Sequence, residues 1–347
     1  MNRQELKRQK LRKPSLLARA TVITFAFCLL PFAFPQSGRQ PAQGQGKPSA
    51  PPAQETRPRR VDDDQDEIKL SANLITAVTS VTDPAGNQVN DLTQQDFVVY
   101  EDNVAQDIAG FYREGQLPLR LIFLFDASSS IRHRFDFEQR AAAQFFRQLM
   151  RSGDQAALMS VATDPKIEMQ FTSDVEKIVA ALAAIKPEGA TSLYSSMIEA
   201  AKYIRPAEGR HVMVVLSDGT DTASAATLAQ ALTEVQKSDA VIYAVHSTGI
   251  APSANVQDLA GEFVLKAMSE DTGGRAFFPP IYDDPKKEVR DLDEIYRRIA
   301  AEVRAQYVVT YYSKNTDTRR DGFKSIRVEV KRPGLQVRTR RGYYTTK

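Results

Sequence analysis

The stretch Leu121-Ile122-Phe123-Leu124-Phe125-Asp126-Ala127-Ser128-Ser129-Ser130 decides how the rest of the chain is read. Five large apolar residues run without a break and stop at an aspartate followed by small hydroxyl residues. A short apolar run closed by turn-forming residues predicts a strand buried on both faces of a parallel sheet. Residues just past the carboxyl end of such a strand stand where open α/β sheets bind ligands. Asp126, Ser128 and Ser130 supply one carboxylate and two hydroxyls, the hard oxygen donors that magnesium and manganese prefer. The loop reads as a metal-binding loop.

Working outward, residues from Pro118 to about 305 alternate strands with helices. Buried strands are predicted at Arg120–Asp126, Ala156–Ala162, His211–Ser217 and Val241–His246, with helices near Phe135–Met150, Asp174–Ile185, Ser192–Ile204 and Thr227–Lys237. Leu259–Ser269 and Asp291–Val303 continue the helical pattern, and the shorter, alternating Ile167–Phe171 suits an antiparallel edge strand. Repeated β-then-α units predict an α/β fold, a doubly wound, mostly parallel sheet with helices on both faces.

The flanks are β in character. Residues 68–118 alternate at Leu70, Ala72, Leu74 and Thr76, turn at Asp83-Pro84-Ala85-Gly86-Asn87, and form a second strand at Phe97–Tyr100 with a tight turn at Glu101-Asp102-Asn103. So short a sheet needs a partner to cover one face. The tail, 306–347, offers strands at Gln306–Tyr312, Ser325–Lys331 and Gln336–Arg340. It is expected to pack with 68–118 as one β domain flanking the α/β domain at 119–305. Arg338, Arg340 and Arg341 alternate with Val337 and Thr339 and read as an exposed strand face.

Residues 1–19 are basic, and Ala20 to Phe34 is a largely apolar run of 15 residues interrupted by Pro31. A positive flank before a short apolar core is the layout of a secretory signal, whereas a spanning helix needs about 20 apolar residues. Residues 1–34 are therefore read as a signal peptide, with an uncleaved anchor in the cytoplasmic membrane left open because no A-x-A-like site follows. The protein is expected outside the cytoplasm, periplasmic or extracellular. Residues 35–67, rich in Pro, Gln and charge, read as a disordered spacer.

A net charge of +3 calls for no nucleic-acid partner. The single cysteine, Cys28, excludes an intramolecular disulfide and thiolate metal sites. His133, His211 and His246 lack the paired spacing of zinc ligands.

A divalent cation takes about six ligands, so other loops at the same sheet edge must contribute. Glu188-Gly189-Ala190-Thr191-Ser192-Leu193 offers the Thr191 hydroxyl before a helix, and Leu216-Ser217-Asp218-Gly219-Thr220-Asp221 offers the Asp218 carboxylate after a strand. Ordinary roles compete for the same residues: a serine can cap the following helix, and Asp-Gly is a common turn.

Asp126-x-Ser128-x-Ser130, then Thr191, then Asp218 in an Asp-Gly-x-Asp setting resembles the metal-ion-dependent adhesion site of von Willebrand factor type A domains. The resemblance covers about 118–305. The flanking stretches Leu92–Asp102 and Val328–Leu335 are similar to those of exported bacterial proteins that carry this domain. It implies Mg²⁺ or Mn²⁺ bound by Asp126, Ser128, Ser130, Thr191 and Asp218, with one coordination position left for an Asp or Glu of a partner protein. Asp221 matches a frequent second acid, expected to be a loop or supporting group. The chain is thus read as a binding module and not as an enzyme, since no Gly-x-Ser-x-Gly, HExxH, P-loop or Gly-x-Gly-x-x-Gly motif occurs. A cell-envelope assembly protein with a vestigial site and a metal-dependent hydrolase are the alternatives.

Overall fold

The computed structural model describes residues 74–113, 116–129, 134–247, 256–280, 285–314 and 322–345. The expected export segment, 1–34, and spacer, 35–67, lie outside the described residues, as do Leu70 and Ala72 of the first expected strand.

Four strands come first: Leu74–Thr82 (β1), Phe97–Glu101 (β2), Val104–Gln106 (β3) and Ile108–Tyr112 (β4). The apolar run then becomes Leu119–Asp126 (β5), followed by Phe135–Leu149 (α1), Gln155–Val161 (β6), Lys166–Thr172 (β7), Val175–Ala184 (α2) and Leu193–Ile204 (α3). Next come Arg210–Ser217 (β8), Leu228–Lys237 (α4), Val241–His246 (β9), Val256–Asp271 (α5), Arg275–Phe277 (β10) and Pro285–Ala305 (α6). The chain closes with Tyr307–Tyr312 (β11), Phe323–Val330 (β12), Gln336–Thr339 (β13) and Gly342–Tyr344 (β14).

The central sheet has the order β10-β9-β8-β5-β6-β7. All its pairings are parallel except β6 with β7, which is antiparallel at the edge. The unbroken apolar run of β5 follows from cover on both faces. Leu121, Phe123 and Phe125 enter the core shared with α1, α2 and α6, while Ile122 and Leu124 enter the core shared with α3, α4 and α5. Strand β8 divides likewise, with Val212, Val214 and Leu216 on the first face and Met213 and Val215 on the second. Each such side chain contributes roughly 1.5–3 kcal/mol on leaving water, and the two-residue period of a strand delivers them to alternate faces. Strand order reverses at β5: the chain leaves it for β6 on one side and returns through β8 on the other. That makes the carboxyl ends of β5 and β8 the switch point at which such sheets open a crevice.

Two four-stranded sheets flank this layer, ordered β13-β1-β11-β4 and β14-β12-β2-β3. They enclose a third core containing Ile75, Val81, Leu92, Phe97, Val99, Tyr307, Val309, Tyr311, Ile326 and Val328. The β2–β3 hairpin turns on Asp102 and Asn103, both with positive φ (47° and 64°), the conformation a two-residue type I′ turn requires. Val78 of β1 and Val308 of β11 point the other way, into the core under α1 and α6. Residues 68–347 cluster as one unit.

Arg338 and Arg340 differ from the exposed strand face that alternation predicts, whereas Arg341 is exposed as expected. Arg338 pairs with the buried Glu302 of α6, Arg340 is itself buried and pairs with Asp239, and Arg341 pairs with Asp271 at 2.7 Å. Their alternation with Val337 and Thr339 reflects a strand packed by polar contacts against the α/β layers. Among the described residues, no helix is long and apolar enough to cross a membrane.

Candidate metal centre

Asp126 is the last residue of β5 and is fully buried. Its Oδ1 accepts the backbone N–H of Ser128 at 2.9 Å, and its Oδ2 accepts the hydroxyl of Ser217 at 2.8 Å. The second bond crosses the switch point, because Ser217 ends β8, the neighbouring strand. Burial pushes the Asp126 carboxyl above the usual range. Hydrogen bonds from Ser128 and Ser217 oppose that rise, and the nearby charge of Asp218 adds to it. No cationic side chain among the described residues offsets this charge. A buried acid without a counter-charge is costly unless a cation or proton neutralises it.

Ser128 is nearly buried beside Asp126, while Ser130 lies outside the described residues. Two backbone bonds tie the β5 loop to the segment before α3. Glu188 N donates to Ala127 O at 2.6 Å, and Ser129 N donates to Gly189 O at 3.3 Å. Thr191, also buried, joins that segment to the β8 loop: its N–H donates to Thr222 Oγ1 at 3.1 Å and its carbonyl accepts from Thr222 N at 2.9 Å. Asp218 is half-buried just beyond β8, with Oδ1 accepting Thr220 N at 2.8 Å. The structure therefore brings the three loops carrying Asp126, Ser128, Thr191 and Asp218 to one edge of the sheet.

Asp221 has a supporting role. Its Oδ2 accepts the N–H of Tyr194 in the first turn of α3 at 2.8 Å, and its Oδ1 accepts Ser224 N at 3.0 Å. Ser224 Oγ accepts Ser195 N at 2.9 Å, so the β8 loop supplies the acceptors that free N–H groups at a helix start require. Ser192, at the N-cap position, makes no side-chain cap bond. Sequence reasoning missed Ser217 and Thr222, which hold Asp126 and Thr191. The only available signal was a hydroxyl at the last position of an apolar strand.

The donors present are two carboxylates and neutral hydroxyls, all oxygen, which suits a hard divalent cation. Among the described residues no three His, Cys, Asp or Glu side chains gather in one place, so a nitrogen-, sulfur- or carboxylate-rich site is not what the edge offers.

Residues 121–221 match the sequence profile of the von Willebrand factor type A domain. The chain carries a von Willebrand factor type A domain. A von Willebrand factor type A protein from Catenulispora acidiphila is 12% identical, covering 77% of this chain and 71% of that one, with a TM-score of 0.45. BatB from Bacteroides thetaiotaomicron is 14% identical over 52% of this chain and 98% of its own, with a TM-score of 0.41. An aerotolerance-related membrane protein from Bacteroides fragilis is 16% identical over 53% and 98%, with a TM-score of 0.42. No curated protein matches the chain. A von Willebrand factor type A domain points to protein interaction or adhesion.

Proposed function

We propose that this domain is an exported, non-enzymatic binding module that captures an acidic side chain of a partner protein through Mg²⁺ or Mn²⁺. Asp126, Ser128, Ser130, Thr191 and Asp218 would hold the ion. The observation that carries the reading is Asp126, fully buried at the switch point, fixed by Ser128 and Ser217, and without a cationic partner among the described residues. Bound there, the ion supplies a positive charge that an incoming carboxylate can approach. Asp126, clamped at both oxygens, cannot rotate away and keeps its donor face fixed. Asp218 sits nearer solvent and would supply the second carboxylate. The hydroxyls of Ser128, Ser130 and Thr191 are neutral and cancel none of the ion's charge, so a partner's Asp or Glu is favoured in the remaining position. The basic flank and apolar run before residue 35 support export.

Calorimetric titration of the full chain with Mg²⁺ and Mn²⁺ tests this, with Asp126→Ala as the comparison. Saturable binding by the wild type and none by the variant is the expected result. Equal blindness to the ion in both proteins would overturn the reading. Capture of a partner that EDTA releases would separate an adhesion role from that of an envelope assembly protein, whose contacts would survive the chelator.

A further inference from the structure

We infer that Gly261 is a positioning residue for the cation site, through which α5 holds Asp218 in place. The inference rests on the metal-ion reading above and assigns that site a support outside its own loops.

Gly219 follows Asp218 with φ of +80°, a conformation that favours glycine. A Cβ placed on it would stand 2.7 Å from the carbonyl carbon of Gly261 and 2.8 Å from its Cα. From the other side, a Cβ on Gly261 would fall on the carbonyl oxygen of Asp218, nearer than side-chain carbons stand to any neighbour, and 3.3 Å from the carbonyl carbon behind it. The metal loop and α5 therefore touch backbone to backbone. No flexible side chain lies between them to absorb a displacement.

Glycine inside a helix lowers helix stability relative to alanine. Gly261 stands in the second turn of α5, where only the absence of a side chain lets the helix reach the loop. The helix cannot simply retreat, because Val264, Leu265 and Met268 anchor its inner face in the core with Met213, Val215 and Ile242. The two acids of the site are held differently. Asp126 is fixed at both carboxylate oxygens. Asp218 has one carboxylate oxygen bound by Thr220 within its own loop, and its main chain rests on Gly261. The placement of Asp218 thus depends on the seating of α5.

Hydrogen exchange of the full chain with and without Mg²⁺ tests this in the wild type. Mg²⁺ is expected to slow exchange in residues 216–222 and in 258–266 together. Slowing in 216–222 with none in 258–266 would overturn the inference and leave the metal reading standing. No effect of Mg²⁺ in either segment, with no binding heat, would remove both. Gly261→Ala gives a second measure. It is expected to weaken Mg²⁺ binding at least tenfold, while Phe263→Ala, which alters an exposed side chain on the same helix, leaves the affinity unchanged. A purely structural glycine would lower the melting temperature in EDTA and leave the Mg²⁺ affinity of the folded variant as it was. Should Gly261→Ala fail to fold, the wild-type exchange pattern decides the question.

Discussion

Asp126 unites cost and function in one side chain. Its carboxylate is fully buried and pushed up by burial, so in metal-free protein at neutral pH an ionised Asp126 opposes folding. Asparagine can keep the Oδ1 bond to Ser128 N, and the Ser217 hydroxyl can rotate to accept from the new amide. Asp126→Asn should therefore melt higher than wild type in EDTA, by on the order of 1 kcal/mol. In Mg²⁺ the order should invert, since only the wild type gains the stabilisation of bound ligand, about 2.7 kcal/mol at a hundred times Kd. Melting curves of both proteins in EDTA and in Mg²⁺ check this, and a variant that loses stability in EDTA would count against it. Asp126 was legible because an unbroken apolar run ends on it. Ser217 was not legible as its partner, because nothing in the sequence says that the strand ending at Ser217 lies beside the one ending at Asp126. That adjacency is a property of sheet order, which the chain sets only on folding.

Elements were legible where they are long and two-faced. The strand at 119–126 and the helices at 135–149 and 193–204 announce themselves through continuous or 3.6-residue apolar patterns. Arg275–Phe277, Val104–Gln106 and Gly342–Tyr344 escape such reading, because three residues carry no measurable period. Helix ends also escape it: α6 begins at Pro285, six residues before the expected start. Single polar groups join these ends. Asp154 accepts Leu119 N, at the start of β5, at 2.8 Å and Arg151 N at 2.8 Å, and it pairs with Arg304 near the end of α6. Arg304 also donates to the carbonyl of Leu149, the last residue of α1. Burial pushes the Asp154 carboxyl up, but Arg304 and the two N–H donors outweigh it, and the group lies below the usual range. A depressed folded value stabilises above the unfolded pKa of about 3.9, and that contribution is lost as pH falls through the folded value. Asp154→Asn leaves Arg304 buried without its counter-charge and should cost about 3–5 kcal/mol at neutral pH. The gap from wild type should narrow below about pH 4, where the unfolded chain takes up a proton at Asp154 that the folded state still resists. Denaturant curves from pH 7 to pH 3 measure that gap, and one that stays constant would contradict the assignment.

At the scale of the molecule, sequence reasoning saw that the strands before and after the α/β segment need cover. It did not see that charged residues would join the flanking sheets to the central layers. Alternating arginines look alike whether they face water or a partner, and only the fold supplies the acceptors, Glu302 for Arg338 and Asp239 for Arg340. Glu302 of α6 is 3% exposed at its side chain and meets Arg338 of β13, the Tyr243 hydroxyl of β9 at 2.9 Å and Arg275 of β10 at 3.9 Å. Gln306, which precedes β11, extends the network, donating to Tyr243 Oη at 2.8 Å and to Ser80 of β1 at 3.3 Å. Side chains from the central sheet, its last helix and a flanking sheet thus meet in one buried cluster. The two partners of the main ion pair are unequal. Glu302→Ala removes the carboxylate facing Arg338 and Arg275, both only partly buried, and should cost about 1–3 kcal/mol. Arg338→Ala should cost less, since Tyr243 still donates to Glu302 and Arg275 remains its counter-charge. Because the cluster spans both parts, unfolding should stay a single transition in either variant, shifted by roughly 2–4 °C per kcal/mol. Calorimetry decides between this and independent parts: two separated transitions, with only the lower one moved by Glu302→Ala, would mean that the flanking sheets and the α/β layers unfold on their own.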